Sequence, residues 1–353
     1  MKRLIKRIIF FLPLFIIVYK IEIKDICSNL PFIISQKRNF EKDDYGYYLT
    51  IKKFPFKRRY KLTLDRRYQG MIDDYFDKIK TDYISFFLVD LENKEIIGFY
   101  ERGEIYNKPL VAASLFKIIT TIAALKSGEF GFYDYVVYKG DPHSTEPFLW
   151  EKGKERLISF KDAFGTSNNP AFGIIGRRIG IERIKEISKD LFLGENIRWI
   201  RTGFIIDTTK IEKLCSGIEG SFFSPLYTLF LTSGISNNGS FFIPKIVKGG
   251  VVYNYGRLID NDISNAIIRY SESTTLNGTA RRSFRRIKSE YKMGGKTGSL
   301  TGYEPFGRYE WFVGWGPTEK PEICVVVLGI FSEKKEFSPN ETGLYFMKLF
   351  LER

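Results

Sequence analysis

A hydroxyl and an amine stand three residues apart at Ser114 and Lys117 of this 353-residue chain. A serine hydroxyl becomes a good nucleophile when a neighbouring base removes its proton. Lysine can be that base when burial or a nearby cation lowers its pKa. The pair could therefore serve covalent catalysis, although alone it is a weak signal. Because two residue types at this spacing also recur by chance, a buried helix with a snorkelling lysine is the competing interpretation.

The segment that carries the pair, residues 112–125, has the apolar spacing of a helix. Its apolar positions are Leu115, Ile118, Ile119, Ile122 and Leu125. Ser114, Lys117 and Thr121 follow one another at intervals of three and four, so they share a different face. We therefore expect a core helix that holds the hydroxyl and the amine rigidly.

Two further motifs, Ser167-Asn168-Asn169 and Lys296-Thr297-Gly298-Ser299, follow in that order. Each has a purely structural explanation on its own. Asn169 before Pro170 fits a helix N-cap, although an N-cap leaves Ser167 unexplained. The Lys-Thr-Gly run fits a strand with a bulge. The three motifs in this order are a far more specific signal of function than any one of them alone.

The composition is that of a folded, basic protein. Hydrophobic residues make up 44% of the chain and aromatic residues 16%, which argues against disorder. The net charge of +14 suits anionic partners such as nucleic acid, anionic lipid or an acidic wall polymer. A nucleic-acid binder would explain the charge but not the ordered motifs, so no nucleic-acid partner is expected.

Cysteine and histidine are scarce. Three scattered cysteines and the single histidine, His143, argue against a disulfide framework and a structural zinc site. His143 lies in a turn-like polar segment, so we do not expect a Ser-His-Asp triad. No metal-binding or phosphate-binding motif is visible, and we expect neither a metal nor a cofactor.

The N-terminus has the pattern of a membrane anchor. Basic residues precede an apolar run over residues 8–19, and no small-residue cleavage site follows. We expect residues 1–24 to be one uncleaved span in the cell membrane, with the rest outside the cytoplasm. The alternatives are a cleaved signal and a hydrophobic helix of a soluble protein. Residues 25–58, basic and aromatic, would contact lipid head groups or wall polymer, or form a solvated tether.

Residues 59–353 predict an α+β domain, in which helices pack on a mainly antiparallel sheet. Strands are expected at 83–90, 95–100, 309–316 and 322–331, and helices at 69–79, 225–233 and 341–351. The hairpin formed by the strands at 83–90 and 95–100 would complete the edge of a sheet formed by the last third of the chain. Residues 130–161, rich in turn formers, would border a cleft.

Together these segments resemble the transpeptidase domain of penicillin-binding proteins over residues 60–353. The three motifs carry the resemblance, and neighbouring segments extend it, namely 62–65 with Gln69, 167–172, 224–226 with 238–239, and 310–317. The resemblance implies a D,D-transpeptidase that cross-links peptidoglycan stem peptides through a serine acyl-enzyme and is inhibited covalently by penicillin. It also implies the fold of transpeptidases and β-lactamases.

The resemblance implies four catalytic residues. Ser114 would attack the carbonyl carbon of a D-Ala-D-Ala peptide while Lys117 accepts the hydroxyl proton. Lys296 would keep Lys117 neutral by like-charge repulsion and attract the terminal carboxylate of the substrate. Ser167 would relay a proton to the departing D-Ala nitrogen.

The remaining motif residues would bind substrate. Asn169 would orient the substrate amide, and Thr297 and Ser299 would hydrogen-bond the terminal carboxylate. Gly298 would let the peptide lie close along its strand. The backbone N–H groups of Ser114 and Ser299 would form the oxyanion hole.

The same motifs would also serve a D,D-carboxypeptidase, a class D-like β-lactamase or a membrane-anchored sensor of β-lactams or muropeptides. The β-lactamases of class D usually lack the asparagine found at Asn169, and no deacylating glutamate is identifiable. The family often has a glycine close to the serine, where this chain has Ala112 and Ala113. The expected partners are stem peptides, β-lactams, membrane lipid and a separate glycosyltransferase.

Overall fold

The computed structural model describes residues 28–53 and 56–353. The helices are α1 (Leu30–Ser35), α2 (Arg66–Phe76), α3 (Phe116–Lys126), α4 (Phe160–Gly165), α5 (Asn169–Ile179), α6 (Ile181–Asp190), α7 (Ile211–Cys215), α8 (Pro225–Ser236), α9 (Asn261–Leu276), α10 (Arg281–Ile287) and α11 (Pro339–Leu351). The strands are β1 (Phe40–Asp43), β2 (Gly46–Lys53), β3 (Phe56–Lys61), β4 (Tyr83–Asp90), β5 (Glu95–Arg102), β6 (Leu110–Val111), β7 (Tyr135–Tyr138), β8 (Arg156–Ser159), β9 (Asn196–Ile197), β10 (Ile200–Arg201), β11 (Gly203–Ile205), β12 (Ser221–Phe223), β13 (Ser240–Ile243), β14 (Tyr253–Arg257), β15 (Gly294–Tyr303), β16 (Phe306–Gly316) and β17 (Ile323–Phe331).

An antiparallel sheet in the order β15-β16-β17-β4-β5 forms the centre of the domain. The hairpin of β4 and β5 joins the sheet through β17, with Val327 opposite Phe86. The hairpin of β4 and β5 therefore completes the sheet built by the last third of the chain, as predicted. The expected α+β class is confirmed, and strand β15 is left at one edge.

Side chains on both faces of this sheet are buried. Along β4 they alternate between two hydrophobic clusters, because successive residues of a strand point to opposite faces. Phe86 and Leu88 pack with Ile72 of α2 and Met347 of α11. Their neighbours on β4 belong to the other cluster, which contains residues of α3, α8 and α9. Helices thus cover the sheet on both sides, which explains why β17 is apolar and buried throughout.

The segment before this domain is folded as well. Strands β1, β2 and β3 form their own antiparallel sheet. Leu30, Ile34 and Leu49 are buried in the same core cluster as Leu62. A solvated tether therefore does not describe residues 28–53, which lie within the segment predicted to be juxtamembrane.

The predicted membrane anchor, residues 1–24, lies outside the described residues. Among the helices from residue 28 onward that the structure describes, none is both long enough and apolar enough to span a bilayer.

Candidate active site

Ser114 lies in the turn that connects strand β6 to helix α3. Residues Ala113–Leu115 form a single 3₁₀ turn, and α3 begins only at Phe116, later than the predicted helix over 112–125. The difference arises at Ala113, whose φ of +50° is left-handed. A residue other than glycine in this conformation costs about 1–2 kcal/mol. Such strain is often found next to functional groups.

The amine of Lys117 lies beneath Ser114 and is fully buried. Its Nζ atom is 2.9 Å from Ser114 Oγ, 2.8 Å from Asn169 Oδ1 and 2.5 Å from the Ser216 carbonyl oxygen. The ring of Phe172 lies 5.5 Å from the same atom. The interpretation of Lys117 as a snorkelling lysine is therefore wrong, since its amine points into the protein.

Burial lowers the pKa of Lys117 well below its usual value, and the positive charge of Lys296 lowers it further. Like-charge repulsion is thus present, as the sequence suggested, but burial is the larger cause. Burial also lowers the pKa of Lys296 to about 7. Both shifts arise because a buried ammonium loses its hydration.

Ser167 lies in the sharp connection between helices α4 and α5, and Asn169 is the first residue of α5. Ser167 follows the last turn of α4 with a left-handed φ of +56°. The N-cap of α5 is Asn168, whose side chain accepts a hydrogen bond from Ala171 N. The N-cap interpretation of Asn169 is therefore wrong. Capping by Asn168 leaves the Asn169 side chain free to bind Lys117 Nζ and, through Nδ2, the Ser144 carbonyl oxygen at 3.1 Å.

Edge strand β15 carries the third motif. Lys296 is fully buried, and its Nζ donates to Ser167 Oγ at 2.9 Å and to the Thr297 carbonyl oxygen at 3.0 Å. A Cβ at Gly298 would lie 3.2 Å from the Ala112 carbonyl oxygen. Glycine at this position therefore allows the strand to approach the turn before Ser114. Room for a bound peptide, the role expected from the sequence, stays a prediction.

The motifs meet at one groove of about 490 Å³. It is lined by Ser114, His143, Thr145, Ser167, Asn169, Gly217, Ile218, Thr279, Thr297, Ser299, Leu300, Thr301 and Arg308. Lys117, Lys296 and Gly298 are buried behind this lining. All eight predicted site residues are thus in or directly behind one groove. Two of the lining residues come from 130–161, the segment predicted to border a cleft.

Two residues beside the catalytic groups, Ser216 and Gly217, belong to none of the three motifs. Ser216 accepts from Lys117 and, through its hydroxyl, donates to the Asn169 carbonyl oxygen at 2.8 Å. Gly217 has a φ of +67°, and a Cβ there would lie 2.1 Å from the Ala113 carbonyl oxygen. It ends α7 with hydrogen bonds typical of a glycine C-cap, so its role as a helix stop was readable from sequence. The close approach of Gly217 to the turn before Ser114 could not be predicted from sequence, because it depends on tertiary packing.

The sequence model of the penicillin binding protein transpeptidase domain matches residues 84–337. A curated relative, stage V sporulation protein D of Bacillus subtilis (strain 168), is 24% identical over 322 residues. The match covers 76% of this chain and 49% of the relative, so the chain spans about half the length of that protein.

Solved structures share the fold. Penicillin-binding protein A from M. tuberculosis, in a ceftriaxone acyl-enzyme complex, has a TM-score of 0.66 at 16% identity, with 83% of this chain and 79% of that chain covered. The D,D-transpeptidase domain of a peptidoglycan glycosyltransferase from Eggerthella lenta has a TM-score of 0.66 at 16% identity, with coverages of 83% and 82%. At these identities the structures establish the fold alone. Because the family match spans most of the chain, this protein belongs to the penicillin-binding protein transpeptidase domain family.

Proposed function

We propose that this protein is a serine D,D-transpeptidase that cross-links peptidoglycan stem peptides through an ester on Ser114. The partners of Lys117 Nζ carry the proposal. Asn169 Oδ1 and the Ser216 carbonyl oxygen only accept hydrogen bonds. In a neutral lysine both N–H bonds go to these two oxygens. The nitrogen lone pair is then left for the hydroxyl of Ser114, 2.9 Å away.

Acylation would begin as Ser114 Oγ attacks the carbonyl carbon of the penultimate D-Ala and its proton passes to Lys117. Backbone N–H groups of Ser114 and Ser299 would stabilise the oxyanion. Ser167 would then protonate the nitrogen of the terminal D-Ala as the C–N bond breaks. Lys296 supports this step because it donates to Ser167 Oγ, which leaves the Ser167 hydrogen free for transfer. The proton held by Lys117 would restore the Ser167 hydroxyl.

Deacylation would repeat the chemistry with a second stem peptide. An amine of that peptide attacks the ester carbonyl carbon and its proton passes to Lys117. Lys117 then gives this proton to Ser114 Oγ, which leaves as the hydroxyl when the ester bond breaks. The product is a peptide cross-link, and the enzyme returns to its starting protonation state.

The charge of the groove suits the anionic end of a stem peptide. Buried Lys296 lies beneath it, and the hydroxyls of Thr297 and Ser299 can donate to a terminal carboxylate. Arg308 also lines the groove, although its charge is partly offset by Glu310 at 3.4 Å. Among the residues lining the groove in the described part of the chain, none is a carboxylate. The deacylation proposed above accordingly uses Lys117 as its base and no carboxylate.

The test is to incubate the full-length protein in detergent with a peptide ending in D-Ala-D-Ala and an amine acceptor. Transpeptidation predicts that cross-linked product exceeds hydrolysed product. Hydrolysis alone would identify a D,D-carboxypeptidase, and rapid turnover of penicillin a β-lactamase. A stable acyl-enzyme with penicillin but no turnover of either peptide would favour a sensor.

Residues 1–24 would anchor this activity in the cell membrane, with the catalytic domain on the extracytoplasmic side, where peptidoglycan is assembled. A separate glycosyltransferase would supply the glycan strands. Protease added to intact spheroplasts should then degrade the domain, and protection from protease would contradict this orientation.

A further inference from the structure

Thr279 belongs to none of the three motifs, yet it lines the groove together with Thr297. It lies in the connection between α9 and α10. Its Oγ1 atom is 2.6 Å from Thr297 Oγ1, a short contact between two hydroxyls. Its backbone N–H donates to the Gly165 carbonyl oxygen at 3.2 Å, two residues before Ser167. Thr279 therefore connects the end of α4, just before the second motif, to the third motif.

The direction of the hydroxyl contact follows from what each group can donate. A hydroxyl has one hydrogen, and a carboxylate only accepts. When Thr297 donates its hydrogen to a substrate carboxylate, the hydrogen between the two threonines must come from Thr279. The other acceptor near Thr279 Oγ1, the Gly165 carbonyl oxygen, is 3.5 Å away and already receives the backbone N–H. The closer Thr297 oxygen is the better acceptor.

We infer that Thr279 is a positioning residue, whose hydroxyl donates to Thr297 Oγ1 and so directs the Thr297 hydrogen at the terminal carboxylate of the substrate. A hydroxyl that accepts a hydrogen bond is also a stronger donor. The inference rests on the proposed function, because it requires that Thr297 bind that carboxylate. It adds a residue that acts on specificity for an anionic peptide end without contacting the reacting atoms.

The side chain and the backbone of Thr279 can be tested separately. The backbone bond to Gly165 remains in every variant, whereas Thr279→Val removes the hydroxyl at nearly constant volume. Thr279→Ser keeps the hydroxyl. Because the residue is exposed, both variants are expected to fold. Thermal unfolding of each variant checks this expectation, and Thr279→Ala serves as a second deletion of the hydroxyl.

The experiment measures acylation of the full-length protein by penicillin, as the dissociation constant of the initial complex and the limiting rate. Thr279→Val should raise the dissociation constant about three- to tenfold, the usual effect of one lost hydrogen bond, with little change in the limiting rate. Thr279→Ser should restore wild-type binding. In a Thr297→Val background, Thr279→Val should have no further effect, because its partner is already absent.

An undiminished effect of Thr279→Val in the Thr297→Val background would overturn the inference and assign Thr279 a structural role at the Ser167 turn. Wild-type binding by Thr279→Val would overturn it as well. A wild-type protein that penicillin does not acylate would instead contradict the proposed function, so the two failures are distinguishable.

Discussion

Asn169 Oδ1 lies 2.8 Å from Lys117 Nζ, so the second motif holds the amine of the first directly. The resemblance assigned Asn169 to the substrate amide alone. The structure adds a contact with the group that would act as base. Any change at Asn169 is therefore expected to alter the protonation of Lys117 as well as substrate binding.

Asn169→Asp should move acylation to higher pH. A carboxylate beside Lys117 stabilises the ammonium form and raises the pKa of Lys117, so the neutral base appears only in more alkaline solution. We expect strong loss of acylation at neutral pH and partial recovery as the pH rises, measured as the acylation rate with fluorescent penicillin. Asn169→Ala is the control, since it removes the amide without adding charge. An Asn169→Asp profile that overlays the wild-type profile would contradict the role of Lys117 as base.

Replacing Lys117 should slow acylation about 10²- to 10⁴-fold, the usual contribution of a general base. Lys117→Met tests this best, because it fills the buried space with a neutral side chain. Lys117→Arg should slow acylation to the same extent, since arginine keeps its proton in proteins and cannot act as the base. Stopped-flow measurement of acylation by penicillin gives the rates. Near-wild-type acylation by Lys117→Met would remove Lys117 from the mechanism.

The pH dependence of acylation should be bell-shaped. Lys117 accepts a proton only when neutral, so the rate should rise as the pH passes upward through its lowered pKa. Lys296 attracts the substrate carboxylate only when charged, and its pKa is about 7, so the rate should fall above that pH. The two apparent values belong to the coupled pair. Lys296→Arg should abolish the alkaline fall in the second-order acylation constant, and a fall that persists in this variant would contradict the assignment.

Gly217→Ala should impair acylation through the turn that holds Ser114. The added Cβ would lie 2.1 Å from the Ala113 carbonyl oxygen, so the turn must move. Gly128→Ala is a matched control, because Gly128 has a similar φ of +73° with no atom within 4 Å of the added carbon. Gly128→Ala should lose about 1–2 kcal/mol of unfolding free energy from the left-handed backbone, and Gly217→Ala should lose at least as much. Only Gly217→Ala should also lose acylation, and equal activity in the two variants would contradict the close approach.

The strands of the central sheet and the pairing of Ser114 with Lys117 could be predicted from sequence, because local residue patterns indicate them. Strand β4 was predicted with both ends correct, since its apolar residues are bounded by clear turn signals. Ser114 and Lys117 come together because they lie one turn apart on neighbouring elements. Ser167 and Lys296 are far apart in sequence, and their prediction depended on the family resemblance.

What sequence reasoning missed depends on tertiary contacts. Ser216 and Thr279 are ordinary residue types at uninformative positions, and only the packed chain brings them to Lys117 and Thr297. The N-cap at Asn168 was misassigned by one residue, since asparagines at 168 and 169 are equally good caps in isolation. The left-handed turn at Ala113 was also unpredictable, because alanine has no preference for that conformation.

The most direct measurement is peptide mapping by mass spectrometry after the full-length protein has reacted with penicillin. Nucleophilic attack by Ser114 predicts one added penicillin, on the peptide that contains Ser114 and at the Ser114 oxygen, and no addition to the Ser114→Ala protein. Modification at any other residue, or an unchanged yield of adduct in Ser114→Ala, would contradict it.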